Sequence, residues 1–459
     1  MSPHERRLHR AAIGVYVLNT VRETAVPLLI IVGLSVFRGG LDVASLVNSV
    51  ILGAIGVVIA ALAGWWRWDT TRWFVDDYGI HKRSGVFTTK QTDVPFARVQ
   101  ALDLEQGPVQ RLLGVFAVHV QTAGGGERGE IVLEAIHDDE LDGLRELVGA
   151  RVAADEPDLP RRRLRVGDLV LAALTAGQLG VILPALAGAV QLSENVLGDD
   201  AERDAVRLIP HSAHEWVLAA VVLLAAAWLL SVMGAVVAFS GFTVARDHDR
   251  LRIRRGLLER RETTIPVERV RAVVVVEGVL RRPLRLAALR MEVIGHAKEP
   301  AAAQTLFPLL RRAEVSAFLD ELLPELADDL DGLADLPRRA LRRYVLPPAL
   351  VAFAAGAAFW PLTHFGALIA VPAALYGFVR FRDAGWRLHD GRLAVRRLGL
   401  ARTTVLAPAP RRESVTFAQS VFQRRAALAD LVVEFGKNTT APVHHLDAAT
   451  ARAAFDRLA

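Results

Sequence analysis

The chain has 459 residues, 52% of them hydrophobic and 23% charged, with a net charge of +5 carried almost wholly by arginine. A mean hydropathy of +0.29 is high for a soluble protein, while the charge is high for a pure membrane bundle. Apolar membrane segments alternating with folded polar blocks are therefore expected. The absence of cysteine excludes disulfides, thiol nucleophiles and cysteine-ligated zinc.

The N-terminus, MSPHERRLHR, runs into an apolar region without a small-residue cleavage signature and reads as a retained first membrane segment. This segment, around 11–37, is interrupted by Arg22 and Glu23, which are expected to snorkel at an interface. The runs 43–66 and 169–192 are each 24 residues without a charge, enough to cross a bilayer at roughly 1.5 Å per residue. The run 216–245 is uncharged as well. The last run, 344–379, holds 36 uncharged residues and reads as two short helices turning at Pro361. Arginines flank each pair: Arg6, Arg7 and Arg10, then Arg161, Arg162, Arg163 and Arg165, then 338–343, Arg380 and Arg382. Positive flanks mark the cytoplasmic side. The loop 193–215, with six acidic residues including Asp199 and Asp200 against two arginines, is expected outside. Six crossings in three hairpins follow, with both termini and the large polar blocks cytoplasmic.

After each apolar pair a phrase recurs. Gly85, Pro95, Arg98 and Gly107 precede Gly256, Pro266, Arg269 and Gly278 by 171 residues in every case. The third copy is more worn: Gly399 lies 314 after Gly85, and Arg411 lies 313 after Arg98. Such self-similarity marks a triplicated unit. Acidic, proline-bearing linkers at 153–160 and 324–337 separate the units. Each polar block reads as short strands closed by one amphipathic helix. At 250–256, Leu251 and Ile253 alternate with Arg250, Arg252 and Arg254. Two strands flank a glycine turn at 124–126. Leu141, Leu144, Leu147 and Val148 close the first block, Val315, Phe318, Leu319 and Leu322 the second, and Phe455 and Leu458 the third. Pro95 and Pro266 with Arg98 and Arg269, and Gln106, Gly107 and Gly278 at the turn behind them, read as structural positions of the repeat.

The pattern Pro-x-x-Arg-Val-Gln at 95–100, followed by Gln-Gly-Pro-x-Gln-Arg-x-x-Gly at 106–114, resembles the membrane-bound bacterial PH domain family. The three-copy arrangement with paired helices is similar to its YdbT-like members. The second copy departs at Glu277 and Pro283, and the third keeps Gln419–Arg425 but lacks the glycine. The resemblance implies PH-like folds, a curved antiparallel sheet with a C-terminal helix, and location in the bacterial inner membrane. It also implies a partner, a smaller membrane protein with one such domain, and a role in envelope stress or antimicrobial-peptide protection.

The expected fold class is an α+β membrane protein: three transmembrane helical hairpins, each followed by a cytosolic PH-like antiparallel β domain with a C-terminal helix. The expected segments are a hairpin at 1–68 and a domain at 69–152, a hairpin at 161–241 and a domain at 242–323, and a short hairpin at 338–380 and a domain at 381–459. Chemistry is sparse. The glycines at 124–126 lack a following lysine, so they form no phosphate loop. The spacing in 211–215, HSAHE, matches no zinc motif. His444 and His445 are neighbours on a strand and should face opposite ways. No catalytic residue, cofactor or metal site is expected. The three blocks carry net charges of −5 (73–152), +5 (242–323) and +6 (386–459), so Arg250, Arg252 and Arg254 are candidate contacts to anionic headgroups. Aromatic platforms for nucleic acid are lacking. A non-enzymatic membrane scaffold for protein partners, through a single-PH-domain protein or self-association, is the expected function; handling of lipids or small molecules is the alternative.

Overall fold

A computed structural model describes residues 6–18, 43–85, 88–122, 131–147, 161–175, 213–294, 304–358, 366–436 and 439–458. The expectations for Arg22 and Glu23, the glycine turn at 124–126, the linker 153–160, Asp199 and Asp200, His211 and the turn at Pro361 lie outside the described residues. The chain forms two compact units. One comprises Met1–Pro157, Ala176–Phe242 and Ile253–Thr264, the other Asp158–Thr175, Thr243–Arg252 and Ile265–Ala459.

In the first unit, β1 (Arg6–Arg7), β2 (Arg72–Val75), β3 (Gly79–Ser84) and β4 (Lys90–Pro95) form an antiparallel sheet in that order. A 3-10 turn at Phe96–Arg98 leads into a second antiparallel set: β5 (Val99–Gln106), β6 (Val115–Thr122) and β7 (Ile131–His137). The alternation of β-branched residues drives these strands. Trp73, Ile80 and Val94 from the first sheet meet Val118, Ile131 and Leu133 from the second in one buried core. The helix Asp138–Leu147 closes it with Leu141 and Leu144. The N-terminal segment is tied down by the Trp68 indole N–H, which donates to the Leu8 carbonyl at 2.7 Å.

Further along the chain come β8 (Arg161–Arg163), β9 (Thr243–Asp247), β10 (Arg250–Arg255), β11 (Arg260–Pro266), β12 (Val270–Glu277), β13 (Leu286–Val293) and β14 (Thr305–Arg311). They are followed by β15 (Ala334–Asp335), β16 (Gly385–His389), β17 (Arg392–Leu398), β18 (Arg402–Pro408), β19 (Ser414–Ala418), β20 (Leu428–Gly436) and β21 (Thr439–Asp447). Within the second unit, seven strands form one sheet in the order β14-β13-β12-β18-β17-β16-β15, and β19-β20-β21 form another. Val315, Phe318, Leu319 and Leu322 of the helix Val315–Leu322 are all buried, as the amphipathic spacing predicts. The final helix, Ala448–Leu458, buries Ala451, Ala454 and Leu458; small alanines on its inner face made its pattern faint.

The antiparallel PH-like repeats are present, but the described residues do not support the three transmembrane hairpins. Among the described residues no helix is long and apolar enough to cross a membrane. Leu341–Ala358 has 18 residues but carries Arg342 and Arg343 in its first turn and Pro347 and Pro348 in its interior, and Ala370–Asp383 has 14 residues with Arg380, Arg382 and Asp383 at its end. The arginine flanks have a role that orientation rules do not anticipate. Arg6 and Arg7 pair with Trp73 and Arg72 as strand β1, and Arg161, Arg162 and Arg163 pair with Ala245, Val244 and Thr243 as β8. The helices are thus inserted after the first strand of each repeat rather than placed before the domain.

Candidate functional site: the strand seams and their charges

The repeated phrase builds a turn. Pro95, Pro266 and Pro408 each sit in extended backbone (φ −62°, −60° and −68°) ahead of 3-10 turns ending in Arg98, Arg269 and Arg411. Proline fixes that φ at little cost. Pro408 was missed in the sequence, although stepping back three residues from Arg411 finds it. The three arginines differ in setting: Arg98 is exposed, Arg269 is buried, and Arg411 Nη1 donates to the carbonyls of Val267 (3.1 Å) and Val270 (2.5 Å). Gly85 and Gly256 hold φ of 139° and 104°, and a Cβ there would lie 2.0 Å and 1.9 Å from backbone oxygens of Thr88 and Glu259. In the third copy the turn is shorter, with Leu398 paired to Arg402, which places the one-residue slip at Gly399.

Behind each turn, Gln106 is buried and its Nε2 donates to the Val115 carbonyl at 3.3 Å. The Gly107 amide donates to Gln110 Oε1 at 2.6 Å, capping the helix Pro108–Leu112. The third copy repeats this geometry: Gln419 donates to the Leu428 carbonyl (2.8 Å) and the Ser420 amide to Gln423 Oε1 (2.8 Å). The glycine is dispensable there because Ser420 Oγ accepts from the Gln423 amide as a helix cap. In the second copy charged residues replace both glutamines. Gly278 accepts from the amides of Arg281 and Arg282. Arg281 reaches Thr175 Oγ1 and the Ala172 carbonyl, each at 3.0 Å. Burial, with Arg290 nearby, lowers its pKa to about 10.

These turns lead into strands that join one repeat to the next. In the first unit, β5 pairs with β11: Gln106 opposite Arg260, Glu105 opposite Arg261, Leu104 opposite Glu262. In the second, β12 pairs with β18: Glu277 opposite Arg402, Val276 opposite Thr403, through to Val273 opposite Leu406. The two seams share one register, since each pair in the first maps onto a pair in the second by the repeat offsets. Arg261 Nη2 meets Glu105 Oε2 at 2.9 Å, and His119 Nε2 meets the same oxygen at 3.4 Å. The His119 hydrogen bond, against burial and helped by Arg261, lowers the Glu105 pKa to about 2.

The second seam is drier. Glu277 is 2% exposed and receives Arg312 Nη1 at 2.9 Å and Arg402 Nη1 at 3.6 Å. Arg402 also grips Asp383, with Nε at 2.9 Å from Oδ2, and Arg282 Nη2 reaches Asp383 Oδ1 at 3.3 Å. Burial works against the charge on Arg402, but Asp383 and then Glu277 outweigh it and raise its pKa. The acidic stretch 324–337, expected as a linker, is a packed strap: Leu326 and Leu330 are buried, Asp331 takes Arg312 Nη2 at 2.8 Å, and Asp328 takes Arg387. Every one of these charges is met by an opposite one, which suits holding strands together.

The remaining candidates are more scattered. On β10, Leu251 and Ile253 are buried and Arg250, Arg252 and Arg254 half-buried, as the alternation predicts. Arg254 Nε is held by Glu262 at 2.9 Å and Arg250 lies 3.8 Å from Asp249. His444 and His445 do not diverge: His445 has φ 57°, beside a bulge in β20–β21, and both rings turn to Asp430 at 3.3 Å and 3.7 Å. A pocket in the third repeat is lined by Tyr344, Arg380, Arg396, Arg397 and His444. Arg380 there stacks on Tyr344 and Tyr376, at 5.8 Å and 5.6 Å.

A family model described as "Bacterial PH domain" matches the chain three times, over residues 26–152, 166–326 and 344–459. The UPF0699 transmembrane protein YdbT of Bacillus subtilis (strain 168) is 25% identical over 456 residues, covering 93% of this chain and 92% of that protein. No solved structure matches. With three matched repeats spanning most of its length, the chain belongs to the bacterial PH domain family.

Proposed function

We propose that the chain is a membrane-associated, non-enzymatic scaffold that presents its PH-like repeats to protein partners. The observation that carries this reading is apolar surface on the inserted helices. Ile55, Val58, Ile59 and Leu62 stand exposed on Val43–Thr70, next to Trp65 and Trp66; Leu350, Val351 and Phe353 do so on Leu341–Ala358. Exposed apolar stripes of this kind mark surfaces that meet lipid or protein, and tryptophans beside Arg67 suit a headgroup boundary. The transmembrane name of the Bacillus relative and the family membership support it. Protection against envelope stress or antimicrobial peptides belongs to the same proposal and rests on the family resemblance. The test is fractionation of cells making the full chain. Retention in membranes through 1 M salt, with release by detergent, is expected. Release by salt alone would leave the arginines of β10 as the contact, and recovery in the soluble fraction would overturn membrane association.

A second reading, handling of an anionic lipid or small molecule, is favoured by the arginine-lined pocket beside Tyr344. It requires that Arg397→Ala, at an exposed position of β17, reduce anionic lipid co-purifying with the chain.

A further inference from the structure

The same seam is made twice. Each time, the strand that follows the Pro-x-x-Arg turn of one repeat (β5, β12) pairs with the strand that precedes this turn in the next (β11, β18). The counterpart of β5 and β12 in the third repeat is β19, and the counterpart of β11 and β18 in the first is β4. Among the described residues, β4 is the outer strand of its sheet and β19 the outer strand of its own. We infer that these are the two halves of a third seam, and that copies of this chain associate head to tail by pairing β19 of one copy with β4 of the next.

The register follows from the existing seams. Glu105 and Val276 map onto Ala418, and Arg261 and Thr403 map onto Lys90, so Ala418 falls opposite Lys90. Phe417 then faces Gln91, Thr416 faces Thr92, and Val415 faces Asp93. No like charges are opposed, because β19 (SVTFA) carries none. That bareness is itself informative. Edge strands are ordinarily guarded by charge, proline or a bulge, whereas β19 is five residues with two β-branched side chains and a phenylalanine, and Thr416 and Ala418 are exposed. A second observation agrees. Arg411 clamps the carbonyls of Val267 and Val270 in the preceding repeat, while its counterpart Arg98 beside β4 is exposed; a neighbouring copy's third repeat would supply the matching turn.

A second copy is the occupant because it offers both halves at once, whereas a partner with one half would cover a single edge. Pairing of unlike surfaces gives a ring if the rotation closes and a filament if it does not. This rests on the scaffold reading and names its partner, but membrane retention of the same samples is read separately, so either can fail alone.

The absence of cysteine makes the test clean. Full-length Lys90→Cys and Ala418→Cys chains, both changed at exposed edge positions, are mixed in detergent and oxidised. The expected product is a disulfide-linked dimer of twice the chain mass that neither variant forms alone, and a ladder from the double variant. Val276→Cys with Thr403→Cys, the same positions inside a chain, calibrates the yield. Thr92→Cys mixed with Ala418→Cys, out of register by two, is expected to couple poorly. The inference is overturned by no mixed dimer above the single-variant background, by equal coupling of the out-of-register pair, by closure of the double variant on itself, or by capture of a smaller protein in place of the dimer.

Discussion

Glu277→Gln removes one charge from the driest part of the second seam while keeping the side chain's size. The carboxylate is 2% exposed and serves Arg312 and Arg402. Breaking a buried ion pair by deleting one partner costs about 3–5 kcal/mol. Here Arg402 keeps Asp383, and Arg312 keeps Asp331, so the loss is expected to fall below that range, at about 2–3 kcal/mol. At about 2–4 °C per kcal/mol for a unit of this size, the unfolding midpoint should fall by about 4–12 °C. The assay is thermal unfolding of the full chain in detergent at pH 7, with Asp456→Asn as control. Asp456 sits on the last helix in an exposed pair with Arg452, worth about 0.3–0.5 kcal/mol. The variant gains interest because it installs the glutamine that the other two repeats carry at this position, Gln106 and Gln419. A residue natural to the fold is thus expected to harm this copy, since two arginines now depend on its charge. In a double-mutant cycle with Arg402→Met, coupling of at least about 1 kcal/mol is expected. A midpoint for Glu277→Gln indistinguishable from the Asp456→Asn control would show that neither arginine depends on the Glu277 charge.

Three further outcomes follow from the first seam and the repeat turns. Glu105 has a folded pKa of about 2, below its ordinary 4.5, so its contribution is complete above pH 4.5 and is lost as pH falls through 2; Glu105→Gln should flatten the decline of the unfolding midpoint across that window. Arg411→Ala removes two hydrogen bonds from a guanidinium to backbone carbonyls and should cost about 1.5–3 kcal/mol, measured by denaturant midpoint, whereas Arg98→Ala, at an exposed site, should cost the dissolved single chain far less. Ser420→Ala should destabilise by about 1 kcal/mol through loss of the cap, and Ser420→Gly by only a few tenths, a ranking that thermal melts can read.

The parts of the fold with local causes were legible. The 171-residue offset located Pro95, Arg98, Pro266 and Arg269, and all four lie on equivalent turns; the heptad-like spacing of Val315, Phe318, Leu319 and Leu322 gave a buried helix face. Features that depend on distant partners were hidden. Arg261 and Glu105 are 156 residues apart, and nothing near either one signals a seam. Asp383 looks like the end of a helix, yet it is buried because three arginines from other elements converge on it. The first strands, β1 and β8, are two and three residues long, too short for a period of two to register, so their arginines read as flanks of a membrane segment. The same shortfall made 324–337 look like a loose linker: arginines from distant elements hold Glu325, Asp328 and Asp331. The His444 and His445 orientation failed for a local reason, the left-handed φ of His445, which a strand pattern does not anticipate.

Successive repeats are joined strand to strand in one register, and an engineered disulfide across β12 and β18 probes that joint. The full chain carrying Val276→Cys and Thr403→Cys, residues directly opposite across β12 and β18, is oxidised under native conditions, digested and analysed by mass spectrometry for the linked peptides. Efficient formation of the 276–403 disulfide within a single chain is expected, with little of the out-of-register product from Val276→Cys with Val405→Cys. Failure of the 276–403 pair to couple, while the shifted pair couples readily, would contradict it.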